Sequence, residues 1–109
     1  MRKLSKKDLK EFFGKRPRVF RGNLLLLRIS PQNLGFSRAA FVISSSVKRN
    51  APARNLTRRR INEVVRLILP EIKKGLDLVF SHKLENKKAP SFKALKDDIL
   101  KLLSLCGAL

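Results

Sequence analysis

Residues 38–66, RAAFVISSSVKRNAPARNLTRRRINEVVR, decide the fold of this chain. The first part is rich in β-branched and aromatic residues, which favours a strand. A basic loop follows, and after it apolar residues recur at helical spacing at Ile61, Val64, Val65, Ile68 and Ile72. The pattern predicts a strand over 38–46 and a main helix from Asn55 to a stop at Gly75.

Basic residues cluster at the start of this predicted main helix. The segment ARNLTRRR, residues 53–60, holds four arginines in eight positions. At about 100° per residue, a polar stripe lies about a third of a turn from the apolar face, with Arg54 and Arg58 near its border. The stripe consists of Asn55, Arg59, Asn62 and Arg66. Guanidinium groups bind phosphate through two bonds and a helix N-terminus favours anions, so we interpret these turns as a phosphate-binding surface.

The flanking segments predict the remaining elements. A first helix over 5–14 begins at Ser5, which forms an N-capping pair with Asp8. A short strand is expected over 18–20, strands over 23–30 and 75–82, and a last helix that Ser91 caps. The order α-β-β-β-α-β-α predicts one domain over 1–109, an α+β sandwich with helices packed on one small sheet. We expect strands 23–30 and 38–46 to pair in antiparallel fashion.

The net charge indicates a polyanionic partner. The chain has a formal charge of +18 from 26 Lys and Arg against 8 Asp and Glu, more than solubility requires. Residues 1–60 carry 17 of these cations but only two carboxylates, Asp8 and Glu11. The binding surface is therefore expected in the first half of the chain. Charge alone does not distinguish DNA from RNA, and a structural RNA-binding protein of the ribosome fits equally well.

Several other classes of site and location are disfavoured. No apolar run is long enough to span a bilayer and the N-terminus lacks the apolar core of a signal peptide, so we expect a cytoplasmic protein without a membrane partner. His82 and Cys106 are the sole histidine and cysteine, which excludes an internal disulfide and a zinc finger. No combination of residues indicates catalysis or a protein-bound metal. We interpret His82 as an ordinary strand-end residue and Cys106 as a core residue.

The central segment resembles that of the bacterial ribonuclease P protein subunit. In that family a strand leads through a basic loop into a helix that opens with Ala-x-x-Arg-Asn and further basic residues, as in residues 51–60 here. The resemblance extends over most of the chain. The other matching segments are LSKKDLKEFF, GNLLLLRIS, GLDLVFSH and SFKALKDDILKLL.

The resemblance implies a function in transfer RNA processing. The family forms a ribonucleoprotein endonuclease in which a catalytic RNA, with bound Mg²⁺, removes the 5′ leader of precursor tRNA. The protein then assists as an RNA-binding subunit, and neither a small-molecule substrate nor catalytic protein residues are expected. The implied fold is the ribosomal protein S5 domain 2-like sandwich. Its β-α-β crossover is left-handed, against the general right-handed rule.

The resemblance also assigns roles to individual positions. Residues that match RNA-contacting positions are Arg54, Asn55, Arg58, Arg59, Lys48, Arg49, Arg60 and Asn62. A cleft for the leader, between the sheet and the main helix, is expected to include Phe13, Phe41 and Ser45. Four positions depart from the basic residues usual in the family, namely Ser45, Ser46, Leu56 and Asn62. These departures imply that some RNA contacts are weaker or lie elsewhere, with Arg49 and Arg60 able to compensate in charge.

Overall fold

The computed structural model describes residues 2–109 and confirms the α+β class. The strands are β1 (Arg2–Lys3), β2 (Arg18–Arg21), β3 (Leu26–Pro31), β4 (Arg38–Ser45) and β5 (Leu76–Leu84). The helices are α1 (Lys6–Gly14), α2 (Ala51–Ile68) and α3 (Phe92–Leu105), with a 3₁₀ turn at Leu69–Glu71. The two-residue strand β1 was not predicted, because two residues carry no measurable periodicity.

The strands form one sheet in the order β1-β4-β5-β3-β2. Strands β4 and β5 are parallel neighbours joined through α2, which confirms the β-α-β unit. The predicted pairing of β3 with β4 is wrong, because β5 lies between them and is antiparallel to β3. The reason is burial: Leu78, Val79 and Phe80 of β5 are fully buried, and such a strand belongs at the centre of a sheet.

Helices α2 and α3 cover one face of the sheet and form the main core with it. Leu25, just before β3, and Leu27 and Ile29 on it alternate into this core. Ile61 of α2 and Leu102 of α3 are fully buried against them. This face therefore contributes most of the apolar burial that stabilises the domain.

Helix α1 packs on the opposite face and covers only part of it. Leu4, Phe12 and Val79 form a second buried cluster, with Leu9 and Ala40 against it. The predicted capping box is confirmed, since the Asp8 amide donates to Ser5 Oγ at 3.1 Å and the Ser5 amide donates to Asp8 Oδ2 at 2.8 Å. The rest of this face, which we call the open face, is not covered by a helix.

Helix α2 differs from its predicted range at both ends. It begins at Ala51, one turn before Asn55, because Pro52 is compatible with a first helical turn. It ends at Ile68 rather than near Gly75, because Pro70 cannot donate the backbone bond that the next turn requires and lies in the 3₁₀ turn. The buried side of α2 still matches the predicted apolar face.

A buried carboxylate on α3 holds the turn between β2 and β3. Asp98 accepts hydrogen bonds from the backbone amides of Asn23, Leu24 and Leu25, at 2.7, 3.0 and 2.8 Å. A Cβ at Gly22 would lie 2.4 Å from Asp98 Oδ1, so only glycine fits there without a shift.

None of the helices within residues 2–109 has the length and apolar composition needed to cross a membrane.

Candidate nucleic-acid interface

The first three turns of α2 present the predicted polar stripe to solvent. Asn55, Arg59 and Asn62 of this stripe are exposed, and so are Arg54 and Arg58 at its border. Their helical spacing places them away from the core-facing residues of α2. Within residues 2–109, no side-chain hydrogen bond or ion pair engages the guanidinium groups of Arg54, Arg58 and Arg59. These three cations are available to an external anion.

Two other arginines of α2 are engaged within the protein. Arg60 Nη1 donates to the Pro90 carbonyl at 2.6 Å, on the side of α2 that faces the loop before α3. Arg66 pairs with Glu63 through Nε to Oε2 at 3.1 Å and Nη2 to Oε1 at 2.5 Å. The hydrogen bond from Arg66 lowers the pKa of Glu63. Arg60 therefore does not lie in one surface with Arg58 and Arg59, although the sequence grouped them.

The loop between β4 and α2 is fixed by Asn50, which is buried. Its Nδ2 donates to Ser45 Oγ at 2.9 Å and to the Asn86 carbonyl at 2.9 Å. This links the loops that follow the two parallel strands β4 and β5. Lys48 and Arg49 are exposed in this loop, and Arg49 has a left-handed backbone with φ of 56°. The loop therefore holds both cations beside the first turn of α2.

The three residues expected to line one leader cleft do not lie together. Phe41 is half-buried beneath α2 and α3, with its ring 6.1 Å from that of Phe80. Phe13 lies on the opposite face, where its ring contacts Phe12 at 5.3 Å between centroids. Ser45 Oγ accepts from Val47 N at 3.1 Å as well as from the Asn50 side chain, so its polar group is already engaged. Phe13 belongs to α1 on one face of the sheet, whereas Phe41 packs in the core with α2 and α3 on the other, so the structure does not bring these two rings into one cleft.

Beside Phe13 at the end of α1, the open face carries residues that the sequence grouping did not include. Phe13 is 45% exposed, and the guanidinium carbon of Arg28 lies 5.6 Å from its ring centroid. Val19 and Val42 are also exposed on this face. Burial alternates along residues 25–29, with Leu25, Leu27 and Ile29 buried on the other face, so Arg28 lies on this one.

A groove of about 390 Å³ runs along the open face beside the turn that Asp98 holds. Its lining includes Leu26, Val42, Ser81 and the two cations Arg21 and Lys83, and no acidic residue belongs to it. The register confirms the geometry, because Arg21 pairs with Leu26, Leu26 with Ser81, and Ser81 with Val42 across four strands. The groove thus combines apolar surface with positive charge.

The remaining candidate groups have structural contacts. His82 Nδ1 donates to the Leu24 carbonyl at 2.6 Å, and Cys106 packs against the core. In the described part of the chain, no cluster of three or more His, Cys, Asp or Glu side chains is placed to hold a metal ion. The exposed groups on these surfaces are cations and apolar side chains, which are able to contact anions and flat apolar groups.

Comparison with known proteins gives the same family as the sequence resemblance. The family model named Ribonuclease P matches residues 2–106. The ribonuclease P protein component of Chloroflexus aurantiacus is 38% identical over 86 residues, which span 79% of this chain and 63% of that protein. That of Roseiflexus castenholzii is 31% identical over 90 residues, spanning 83% and 73%. Thus the match covers just under two thirds of the first relative's length.

Solved structures show the same fold. The ribonuclease P protein of Staphylococcus aureus superimposes with a TM-score of 0.78, covering 99% of this chain and 97% of that one at 14% identity. The Thermotoga maritima protein superimposes with a TM-score of 0.75 at 20% identity, covering 92% of each chain. With the family model matched over almost the whole length, the chain belongs to the ribonuclease P protein family.

Proposed function

We propose that this protein is the subunit of ribonuclease P that assists a catalytic RNA in removing the 5′ leader of precursor tRNA. The proposal rests on a set of exposed arginines on α2 that have no side-chain partner among residues 2–109, in a chain of this family. They are Arg54, Arg58 and Arg59. The endonuclease activity belongs to the ribonucleoprotein. The protein itself contributes binding and no catalytic group.

The two surfaces suit two different RNA elements. The stripe on α2 is convex and purely polar, which fits the phosphate backbone of a folded RNA such as the catalytic RNA. The open face offers Phe13 and Val42 beside the cations Arg28 and Lys83. Exposed apolar side chains beside cations suit unpaired nucleotides, whose bases stack while their phosphates are neutralised. We therefore assign α2 to the catalytic RNA and the open face to the leader.

The proposal places Mg²⁺ mainly on the RNA subunit. The described residues of the protein do not fit such an ion, because the exposed carboxylates are scattered and the buried ones, Asp77 and Asp98, already accept several hydrogen bonds. The protein has a net charge of +18, and its binding lowers the repulsion between RNA phosphates. This reduces the Mg²⁺ concentration that RNA folding requires. The proposed location is the cytoplasm, where precursor tRNA is processed.

Reconstitution tests the function directly. The protein is mixed with the catalytic RNA of a related bacterium, and cleavage of precursor tRNA is measured over a range of Mg²⁺ concentrations. The expected result is a higher kcat/KM at low Mg²⁺ than for the RNA alone, with the mature 5′ end as product. Absence of any stimulation would contradict the proposal. Co-sedimentation with ribosomal subunits, without stimulation, would support the alternative of a structural ribosomal protein.

A further inference from the structure

The loop between β5 and α3, residues 85–91, is attached to helix α2 at two points. The buried side chain of Asn50, just before α2, donates from Nδ2 to the Asn86 carbonyl at 2.9 Å. Farther along the helix, Arg60 Nη1 donates to the Pro90 carbonyl at 2.6 Å. Together these two hydrogen bonds hold the loop beside the first three turns of α2.

Lys87 and Lys88 lie between these two attachment points. Both are exposed, and within residues 2–109 no hydrogen bond or ion pair engages their ammonium groups. The Lys88 amide donates to Asn86 Oδ1 at 2.8 Å, which fixes the backbone that carries the two lysines. Glu85 is the only carboxylate in the loop. The loop therefore presents two free cations on a backbone that is held in place.

The end of β4 fixes the start of the same loop. Ser45 Oγ accepts a hydrogen bond from Asn50 Nδ2 at 2.9 Å, and the Ser46 amide donates to the Leu84 carbonyl at 3.0 Å. Ser45 and Ser46 occupy positions at which basic residues are usual in the family. In this chain the two serines hold the loop instead, and the loop itself carries two cations.

The loop lies on the flank of α2 that faces away from Arg58. Arg58 and Arg60 are about 200° apart around the helix axis, because successive residues differ by about 100°. The loop is bonded to Arg60. Lys48 and Arg49 are exposed in the segment that leads into α2. None of residues 85–91 lines the groove on the open face, so these cations belong to the start of α2.

We propose that Lys87 and Lys88 form a second phosphate-binding patch for the catalytic RNA, and that Asn50 positions this patch. The proposal rests on the proposed function and extends the RNA-binding surface from the exposed arginines to the other flank of α2. Lysine ammonium groups bind phosphates as point charges, so the partner is recognised by its backbone rather than by its sequence. A folded RNA that encloses the start of α2 brings phosphates to both flanks at once.

Filter binding of the catalytic RNA of a related bacterium tests the patch. Each phosphate contact contributes about 0.7 to 0.9 to the slope of log K against log salt, so Lys87→Ala with Lys88→Ala should reduce the slope by about 1.5. The matched control is Lys73→Ala with Lys74→Ala, because this exposed pair follows the C-terminal end of α2 and its loss changes the net charge equally. The control should leave the slope close to that of the wild-type protein. Equal slopes for the two double variants would overturn the inference.

Asn50→Ala tests the positioning role, because it keeps every cation and removes the bonds to Ser45 and Asn86. Its RNA affinity should fall between those of the wild type and the Lys87→Ala, Lys88→Ala variant. In a chain that already lacks both lysines, Asn50→Ala should have no further effect. An equal loss in both backgrounds would show that Asn50 does not act through the loop. Thermal unfolding confirms that each variant is folded at the temperature of the binding measurement.

Cleavage by the reconstituted holoenzyme separates this inference from the proposed function. The variant without Lys87 and Lys88 should still stimulate cleavage of precursor tRNA, but at a higher Mg²⁺ concentration than the wild type. If the wild-type protein neither binds nor stimulates the catalytic RNA, the proposed function itself has failed. If the wild type stimulates cleavage and loss of the two lysines leaves the salt slope unchanged, only the inference about the loop has failed.

Discussion

Arg38 on β4 binds the buried carboxylate of Asp77 on β5 through two parallel hydrogen bonds, Nε to Oδ1 at 2.9 Å and Nη2 to Oδ2 at 2.8 Å. The hydrogen bonds to Asp77 raise the pKa of Arg38. The same guanidinium lies 3.2 Å from Asp8 Oδ1, so it also joins α1 to the sheet. One of the many cations in the basic half of the chain therefore holds the fold together rather than RNA.

Replacing Arg38 by alanine is expected to destabilise the protein strongly. The change leaves the Asp77 carboxylate, which is 4% exposed, without its cation, and the typical loss in such cases is about 3 kcal/mol of unfolding free energy. Urea unfolding measures it. Arg59→Ala is the matched control, because Arg59 is exposed and forms no ion pair in the part of the chain that the structure describes. Equal stability of the two variants would show that the Arg38–Asp77 pair contributes nothing net.

The capping box of α1 makes stability depend on pH in the acid range. The backbone hydrogen bond from Ser5 lowers the pKa of Asp8 below its ordinary value of 3.8. Because the pKa of Asp8 is lowered in the folded state, its carboxylate stabilises the fold fully above pH 3.8. This stabilisation is lost as the pH falls through the pKa of Asp8 in the folded protein. Asp8→Asn should therefore be less stable than wild type near neutral pH. Thermal unfolding at acid pH should show a smaller difference in stability between wild type and Asp8→Asn. A difference that does not change with pH would contradict this linkage.

Replacing each of two adjacent carboxylates on α3 should change the free energy of unfolding by very different amounts. Asp98→Ala removes the acceptor of three backbone amides in the turn after β2, and the lost charge-assisted bonds should cost about 3 kcal/mol or more. Asp97→Ala removes only an exposed pair with Lys93 and should change stability by less than about 0.5 kcal/mol. Urea unfolding of both variants decides. If both cost the same, Asp98 does not hold the turn.

The helices and most strands could be predicted from local pattern, but strand order could not. Periodicity placed α1 and α3 well, because the capping residues Ser5 and Ser91 mark their starts. Pairing is decided by contacts far apart in sequence, and the antiparallel prediction for β3 and β4 failed because both pair with β5. Leu78, Val79 and Phe80 of β5 are fully buried although they point to both faces of the sheet, a property that only the assembled sheet reveals.

In the candidate site too, local spacing predicted some features, whereas contacts between distant segments were not predictable. Helical spacing was sufficient to identify the exposed stripe that includes Arg59 and has Arg58 at its border. It did not show that Arg60 bonds to Pro90, because that contact joins segments 30 residues apart. Nor did it show that Phe13 and Phe41 lie apart, since α1 with Phe13 packs on one face of the sheet and Phe41 points to the other. Alternation along β4 already places Phe41 with the buried Ala39 and Ile43.

Binding of the catalytic RNA should depend steeply on salt and on the exposed arginines of α2. Each phosphate contact contributes about 0.7 to 0.9 to the slope of log K against log salt, so Arg58→Ala with Arg59→Ala should reduce the slope by about 1.5. The paired Arg66 gives the control, since Arg66→Ala should change the slope less. Filter binding at several salt concentrations measures both. If the double substitution leaves the slope unchanged, α2 is not part of the RNA-binding surface.

Alanine substitutions at the neighbouring residues Phe12 and Phe13 of α1 should distinguish a role in stability from a role in leader recognition. Phe12 is 2% exposed in the second core cluster, so Phe12→Ala should cost about 3 kcal/mol or more of unfolding free energy. Phe13 is 45% exposed, so Phe13→Ala should cost much less. If the Phe13 ring stacks on an unpaired base of the leader, the change should lower the preference for precursor over mature tRNA by the equivalent of about 1 to 3 kcal/mol. Competition binding to the reconstituted holoenzyme measures that preference. A Phe13→Ala variant that loses stability like Phe12→Ala and keeps the full preference would show that Phe13 is a core residue and that the leader binds elsewhere.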